Sequence, residues 1–116
     1  MKYCKFLTMF ALALCTMPVF GASVVANVNG TPITDTDITA RTKLMAKQGK
    51  TSTDNRRVAL QSIIDDNIKI SYAGNFNALP DDKTVEQEFK KMNLGDLSKS
   101  EIEMAKNALR AEIAWQ

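Results

Sequence analysis

Few side chains in this chain are equipped for chemistry. It contains no histidine, which removes Ser-His-Asp and Cys-His nucleophile systems and His-ligated metals. Three carboxylate pairs remain to be weighed: Asp35-x-Asp37, Asp65-Asp66 and Asp81-Asp82. Paired carboxylates could hold a cation, but no Gly-spaced loop of the calcium-binding kind surrounds any of them. Each has a simpler role. The outer two pairs sit where helices begin, at the positive end of a helix dipole, and the middle pair falls on the polar side of a helix. Gly49-Lys50-Thr51 looks like the end of a phosphate-binding loop. That pattern needs a glycine at position 44 after a strand, and Leu44 stands there instead. No catalytic residue, metal ligand or cofactor is therefore assigned.

The residues suited to binding are apolar. Flexible thioethers and aromatic rings adapt to varied peptides. Met45, Phe76, Met92 and Trp115 lie nearest to expected helix ends and loops, and they are the candidate contacts for a client polypeptide. Their competing role is the core. A domain of about 94 residues has few apolar groups to spare for an open groove.

The elements that must position these residues follow an N-terminal leader. Lys2 and Lys5 form a basic start, Phe6 to Phe20 an apolar run, and Gly21, Ala22 and Ser23 a small-residue end. This order is that of a cleaved secretory signal, and the run is short of the roughly twenty residues that a membrane span needs. The signal is assigned to residues 1–22 and the folded domain to 23–116. Leu12-Ala13-Leu14-Cys15 resembles a lipobox, but Leu14 occupies the place of the small residue the motif wants, so lipid anchoring is not expected.

Export changes the inventory. Cys4 and Cys15 both lie in the leader, so the exported chain has no disulfide framework despite its oxidising compartment. Without Lys2 and Lys5, the 15 basic residues fall to 13 and balance the 13 acidic ones. A nucleic-acid binder would show a basic excess, and none remains.

Val24-Val25-Ala26-Asn27-Val28 is rich in β-branched residues and predicts a strand. Asn29-Gly30 predicts a type I′ turn, and Thr31-Pro32-Ile33 a return strand held short by Pro32. Asn29-Gly30-Thr31 also matches a glycosylation sequon, but the turn accounts for it. Thr34 then predicts an N-cap with Asp37 at the third helical position, and a helix from Asp35 to Lys47. A second helix starts near Asp54 and ends before Gly74, which is expected at its C′ position. Leu60, Ile63, Ile64 and Ile68, widened by Ile70 and Tyr72, predict that this helix is central and largely buried. A third runs from about Asp82 to Met92. Ser98-Lys99-Ser100-Glu101 predicts a capping box before a fourth. The fold class is mainly α, with an N-terminal β-hairpin followed by about four helices. The last helix has no stop signal, and truncation of a longer chain is expected.

The run from Val24 to Thr34, the helix Leu60-Gln61-Ser62-Ile63-Ile64-Asp65-Asp66-Asn67-Ile68 and the closing Leu109-Arg110-Ala111-Glu112-Ile113-Ala114-Trp115-Gln116 together resemble the N-terminal chaperone domain of the SurA family. The similarity extends to the PpiD and PrsA groups and covers about Val24 to Gln116. It implies a periplasmic, ATP-independent chaperone for unfolded outer-membrane proteins. Family members continue into parvulin prolyl-isomerase domains and then return to complete the N-terminal core. Parvulin sites rely on histidine, so isomerase activity is not carried over.

The resemblance suggests what the hairpin is for. Its edge, Val24, Val25, Ala26 and Val28, could be the one that a returning segment covers. Left open, that edge invites a client strand or a second copy by swapping. Two other functions fit the sequence: an inactive N-terminal fragment of a parvulin-type isomerase, or a small exported protein with one fixed partner.

Overall fold

The computed structural model describes residues 23–116, and the leader assigned to residues 1–22 lies outside them. The elements are β1 (Val24–Val28), β2 (Thr31–Thr34), α1 (Asp35–Lys47), α2 (Asn55–Asn75), α3 (Asp82–Met92) and α4 (Lys99–Ala114). The architecture is mainly helical with an N-terminal two-stranded antiparallel hairpin.

The hairpin turns where the sequence requires it. Asn29 and Gly30 both take positive φ, at 52° and 86°, as a type I′ turn demands. Asn27 Oδ1 accepts from the Gly30 N–H at 2.9 Å. Val28 pairs with Thr31, Asn27 with Pro32 and Ala26 with Ile33, and the register then slips before Val24 meets Thr34. Ile33 is fully buried. It shares a core with Ile38, Met45, Ala59 and Ile63, against which Ala26, Val28 and Met104 pack. The hairpin is therefore part of the core. Asn29 Nδ2 also donates to Ser71 Oγ at 3.1 Å, tying the turn to α2.

Helix α1 begins and ends on local chemistry. The Thr34 N–H donates to Asp37 Oδ2 at 2.9 Å, and the Asp37 N–H donates to Thr34 Oγ1 at 3.2 Å. These reciprocal bonds satisfy two donors that a helix start leaves orphaned. At the other end Gly49 adopts φ 74°. The Lys50 N–H reaches Met45 O and the Gly49 N–H reaches Ala46 O, the bond pair of a Schellman stop. Gly49-Lys50-Thr51 is thus a helix exit.

Helix α2 departs from expectation twice. It runs through Gly74 to Asn75, and Asn77, with φ 53°, takes the left-handed position. The Ala78 N–H bonds Ala73 O and the Asn77 N–H bonds Gly74 O, so the Schellman stop forms three residues later than Gly74 suggests. Asparagine tolerates that conformation because its short polar side chain can bond locally.

The second departure concerns the apolar face. Only Ala59, Ile63 and Ala73 of α2 are buried, while Ile68 is 48% and Tyr72 54% exposed. Residues four apart drift about 40° around a helix at each step. The row Leu60, Ile64, Ile68, Tyr72 therefore walks off the covered side. Alanines make the close contacts instead.

Helix α3 packs mainly on α4, with Val85 fully buried. Glu86 accepts from Lys106 Nζ at 2.7 Å, and the same ammonium lies 5.5 Å from the Phe89 ring centroid. At the start of α4 the expected capping box is half-formed. The Glu101 N–H donates to Ser98 Oγ at 3.2 Å, but the Glu101 side chain turns inward and is buried. Its Oε2 accepts from Lys47 Nζ at 2.9 Å. A tertiary charge pair outcompetes the local cap.

Candidate functional site

Aromatic side chains meet where α2 and α4 end. Tyr72 and Phe76 stand one turn apart, so both face the same side. Their ring centroids are 5.0 Å apart and tilted by 47°. Trp115, the C-cap of α4, meets Tyr72 edge-on at 5.5 Å and 70°. Such edge-to-face pairs are the arrangement that ring quadrupoles favour. Yet Tyr72, Phe76 and Trp115 remain 54%, 66% and 52% exposed. The three rings border a hollow of about 160 Å³ floored by Ala73, Ala78 and Ala114. The late Schellman stop folds Ala78 back beside Ala73 and so forms part of that floor.

Trp115 also borders a second, larger cleft of about 400 Å³ between α1, α2 and α4. Met92 and Leu109 give it apolar wall, while Arg41, Lys50, Lys69, Asp66 and Glu112 give it charge. Arg41 Nη1 pairs with Asp66 Oδ2 at 3.2 Å, with both side chains largely buried. Burial pushes the Asp66 carboxyl above its ordinary value, and the nearby Arg41 and Lys69 pull only partly against that. The sequence placed Asp66 on a polar helix side. Instead it faces α1, because its partner Arg41 lies there.

The four candidate contacts separate accordingly. Phe76 and Trp115 line the aromatic hollow, and Met92 and Trp115 line the charged cleft. Met45 does not join them. It is 7% exposed and belongs to the core, since α1 is covered by α2 and α4 together. Tyr72 was missed, having been counted with the buried face. Its spacing of four from Phe76, beside the helix end, was the available signal.

Of the edge residues, Val24 and Val25 are exposed and Ala26 and Val28 pack on the core. Among the described residues β1 has no strand neighbour other than β2. The register slip falls at Val25, and a slip of this kind bends a strand locally.

The carboxylate pairs act as helix-start groups at both ends. Asp81 Oδ1 accepts from the Thr84 N–H at 2.8 Å, and hydrogen bonding from the Thr84 side chain first, with this backbone bond second, holds its carboxyl below the ordinary range. No cluster of metal-ligating side chains occurs among the described residues, and no helix there is long and apolar enough to cross a membrane. Comparison with protein-family models, curated proteins and solved structures gives no match to this chain.

Proposed function

We propose that this chain is a non-enzymatic, ATP-independent chaperone domain of the SurA-like kind. It acts in the periplasm after removal of its leader and holds unfolded outer-membrane protein segments. One observation carries this reading: Tyr72, Phe76 and Trp115 are assembled into a cluster yet left more than half exposed. An apolar patch of this sort on a small domain marks a surface that meets other apolar groups. Tyrosine and tryptophan supply much contact area at low entropic cost. The free edge of β1 offers main-chain pairing as a second contact.

The test uses the protein purified after export and an outer-membrane β-barrel protein diluted from urea. The chaperone reading predicts less light scattering from the client, without nucleotide. It also predicts a shift in emission from Trp115, the single tryptophan of the chain. Unchanged aggregation together with unmoved emission would overturn it.

A further inference from the structure

Three residues other than glycine hold positive φ among the described residues, and all are asparagines: Asn29, Asn77 and Asn93. Asn77 is followed by Ala78 and Asn93 by Leu94, whereas Asn29 is followed by Gly30 in the one Asn-Gly step of the chain. The difference is chemical. An asparagine side-chain carbonyl carbon can be reached by the main-chain nitrogen of the next residue, and a Cβ on that residue hinders the approach. Glycine has none. Asn29 and Gly30 are both exposed, and nothing lies within 4 Å of where a Cβ on Gly30 would stand.

Two hydrogen bonds restrain this step in the folded hairpin. The Gly30 N–H donates to Asn27 Oδ1 at 2.9 Å, which engages the proton that must leave before the nitrogen can attack. Asn29 Nδ2 donates to Ser71 Oγ at 3.1 Å, which holds the side chain against α2. Release of either bond frees one of the two reacting groups.

We propose that Asn29 is a site of spontaneous deamidation through a cyclic imide, guarded by Asn27 and Ser71, and that its rearranged product unseats the hairpin. Gly30 N gives up its proton and bonds to Asn29 Cγ. The Cγ–Nδ2 bond breaks, and Nδ2 leaves as ammonia with that proton. Water then opens the imide at one of its two carbonyls. Opening at Cγ gives aspartate and restores the ordinary main chain. Opening at the Asn29 main-chain carbonyl gives isoaspartate, whose chain runs on through Cγ and is longer by one carbon.

The fold meets the two products differently. Aspartate suits a type I′ turn as asparagine does, and its carboxylate can accept from the Ser71 hydroxyl. Isoaspartate lengthens a tight turn whose register pairs Val28 with Thr31 and Ala26 with Ile33. Ile33 is fully buried, so the disturbance is carried into the core.

The test ages the exported protein at mildly alkaline pH, folded and in guanidinium, and follows each asparagine by peptide mapping with isoaspartate resolved. Asn29 is expected to convert at least about tenfold more slowly in the folded protein, and Ser71→Ala and Asn27→Ala should each recover several-fold of that difference. Asn77 and Asn93 should stay intact over the same time. Val85→Ala, which loosens the core at α3 away from the turn, should leave the Asn29 rate near that of wild type. The isolated isoaspartate form should melt at least about 5 °C below the unmodified protein, while Asn29→Asp should stay within about 2 °C of it. Equal conversion of Asn29 in the folded and unfolded protein would overturn the proposal. So would rates unmoved in both guard variants, or raised as much by Val85→Ala. An isoaspartate form that melts with Asn29→Asp would overturn the claim that the product unseats the hairpin.

Discussion

Lys47 Nζ lies 2.9 Å from Glu101 Oε2 and 2.6 Å from Asp96 O, joining the end of α1 to the start of α4. The Lys47 bond holds the Glu101 carboxyl below the ordinary glutamate range, against the opposing effect of burial. For an acid whose folded pKa is depressed, the contribution to stability is complete above the unfolded value of about 4.3. It is lost as pH falls through the folded value. Asp66 works the other way: its folded pKa is raised, so protonating it on acidification favours the folded state. The Glu101 effect is therefore isolated by difference. Urea midpoints measured between neutral pH and strong acid should converge for wild type and Glu101→Gln as pH falls. Parallel curves would show that Glu101 does not contribute. At neutral pH Lys47→Met should cost more than Glu101→Gln, because it leaves a buried carboxylate without its cation.

Gly74 gives a sharp test of how α2 ends. At a C′ position alanine would be strained, but here Gly74 is inside the helix, and an added Cβ would meet Leu79 Cδ1 at an ordinary 3.6 Å. Gly74→Ala should therefore stabilise the fold by about 0.5–1 kcal/mol. Asn77→Ala, at φ 53°, should cost about 1–2 kcal/mol. Thermal melts of the two variants should move in opposite directions.

Core and surface methionine and aromatic positions should separate in one experiment. Met45→Ala opens space in the cluster around Ile33, Ile38 and Ile63 and should destabilise by about 2–5 kcal/mol. Client affinity of the molecules that remain folded should be unchanged. Tyr72→Ala and Phe76→Ala should change stability by less than about 1 kcal/mol and weaken client binding by about tenfold. Urea denaturation and client titration on the same samples distinguish the two patterns.

Much of the fold was legible because its signals are local. Asn29-Gly30, Thr34 with Asp37, Asp81 and Ser98 each act within three residues, and the bounds of α1 and α3 follow from them. The end of α2 was misplaced by a local rival, since Asn77 and not Gly74 takes the left-handed position; the other misreadings depend on what lies across the core. Glu101 has the spacing of a capping box, yet Lys47 offers its side chain a charged partner. Met45 sits near a helix end, where exposure is common, but two helices cover that side. Ile68 and Tyr72 match the apolar row of α2, and only the placement of α1 and α4 reveals that this row emerges from the interface. The aromatic site was half visible for the same reason. Phe76 and Trp115 stand out in the sequence by their positions near helix ends and loops, while Tyr72 and the Arg41–Asp66 cleft needed the packing to bring them together.

The bond from Asn29 to Ser71, and the seat of Ile33 against Ala59 and Ile63, also bear on the order of folding. The hairpin is made early in synthesis, but the residues that hold it down come from α2. Contacts that span such stretches of chain close more slowly than helix turns do. The opening strand can take its place on the core only once α2 is there to receive Ile33 and Asn29. Until then it is a nascent, unsatisfied β-edge, with its amides available to whichever extended polypeptide is nearest.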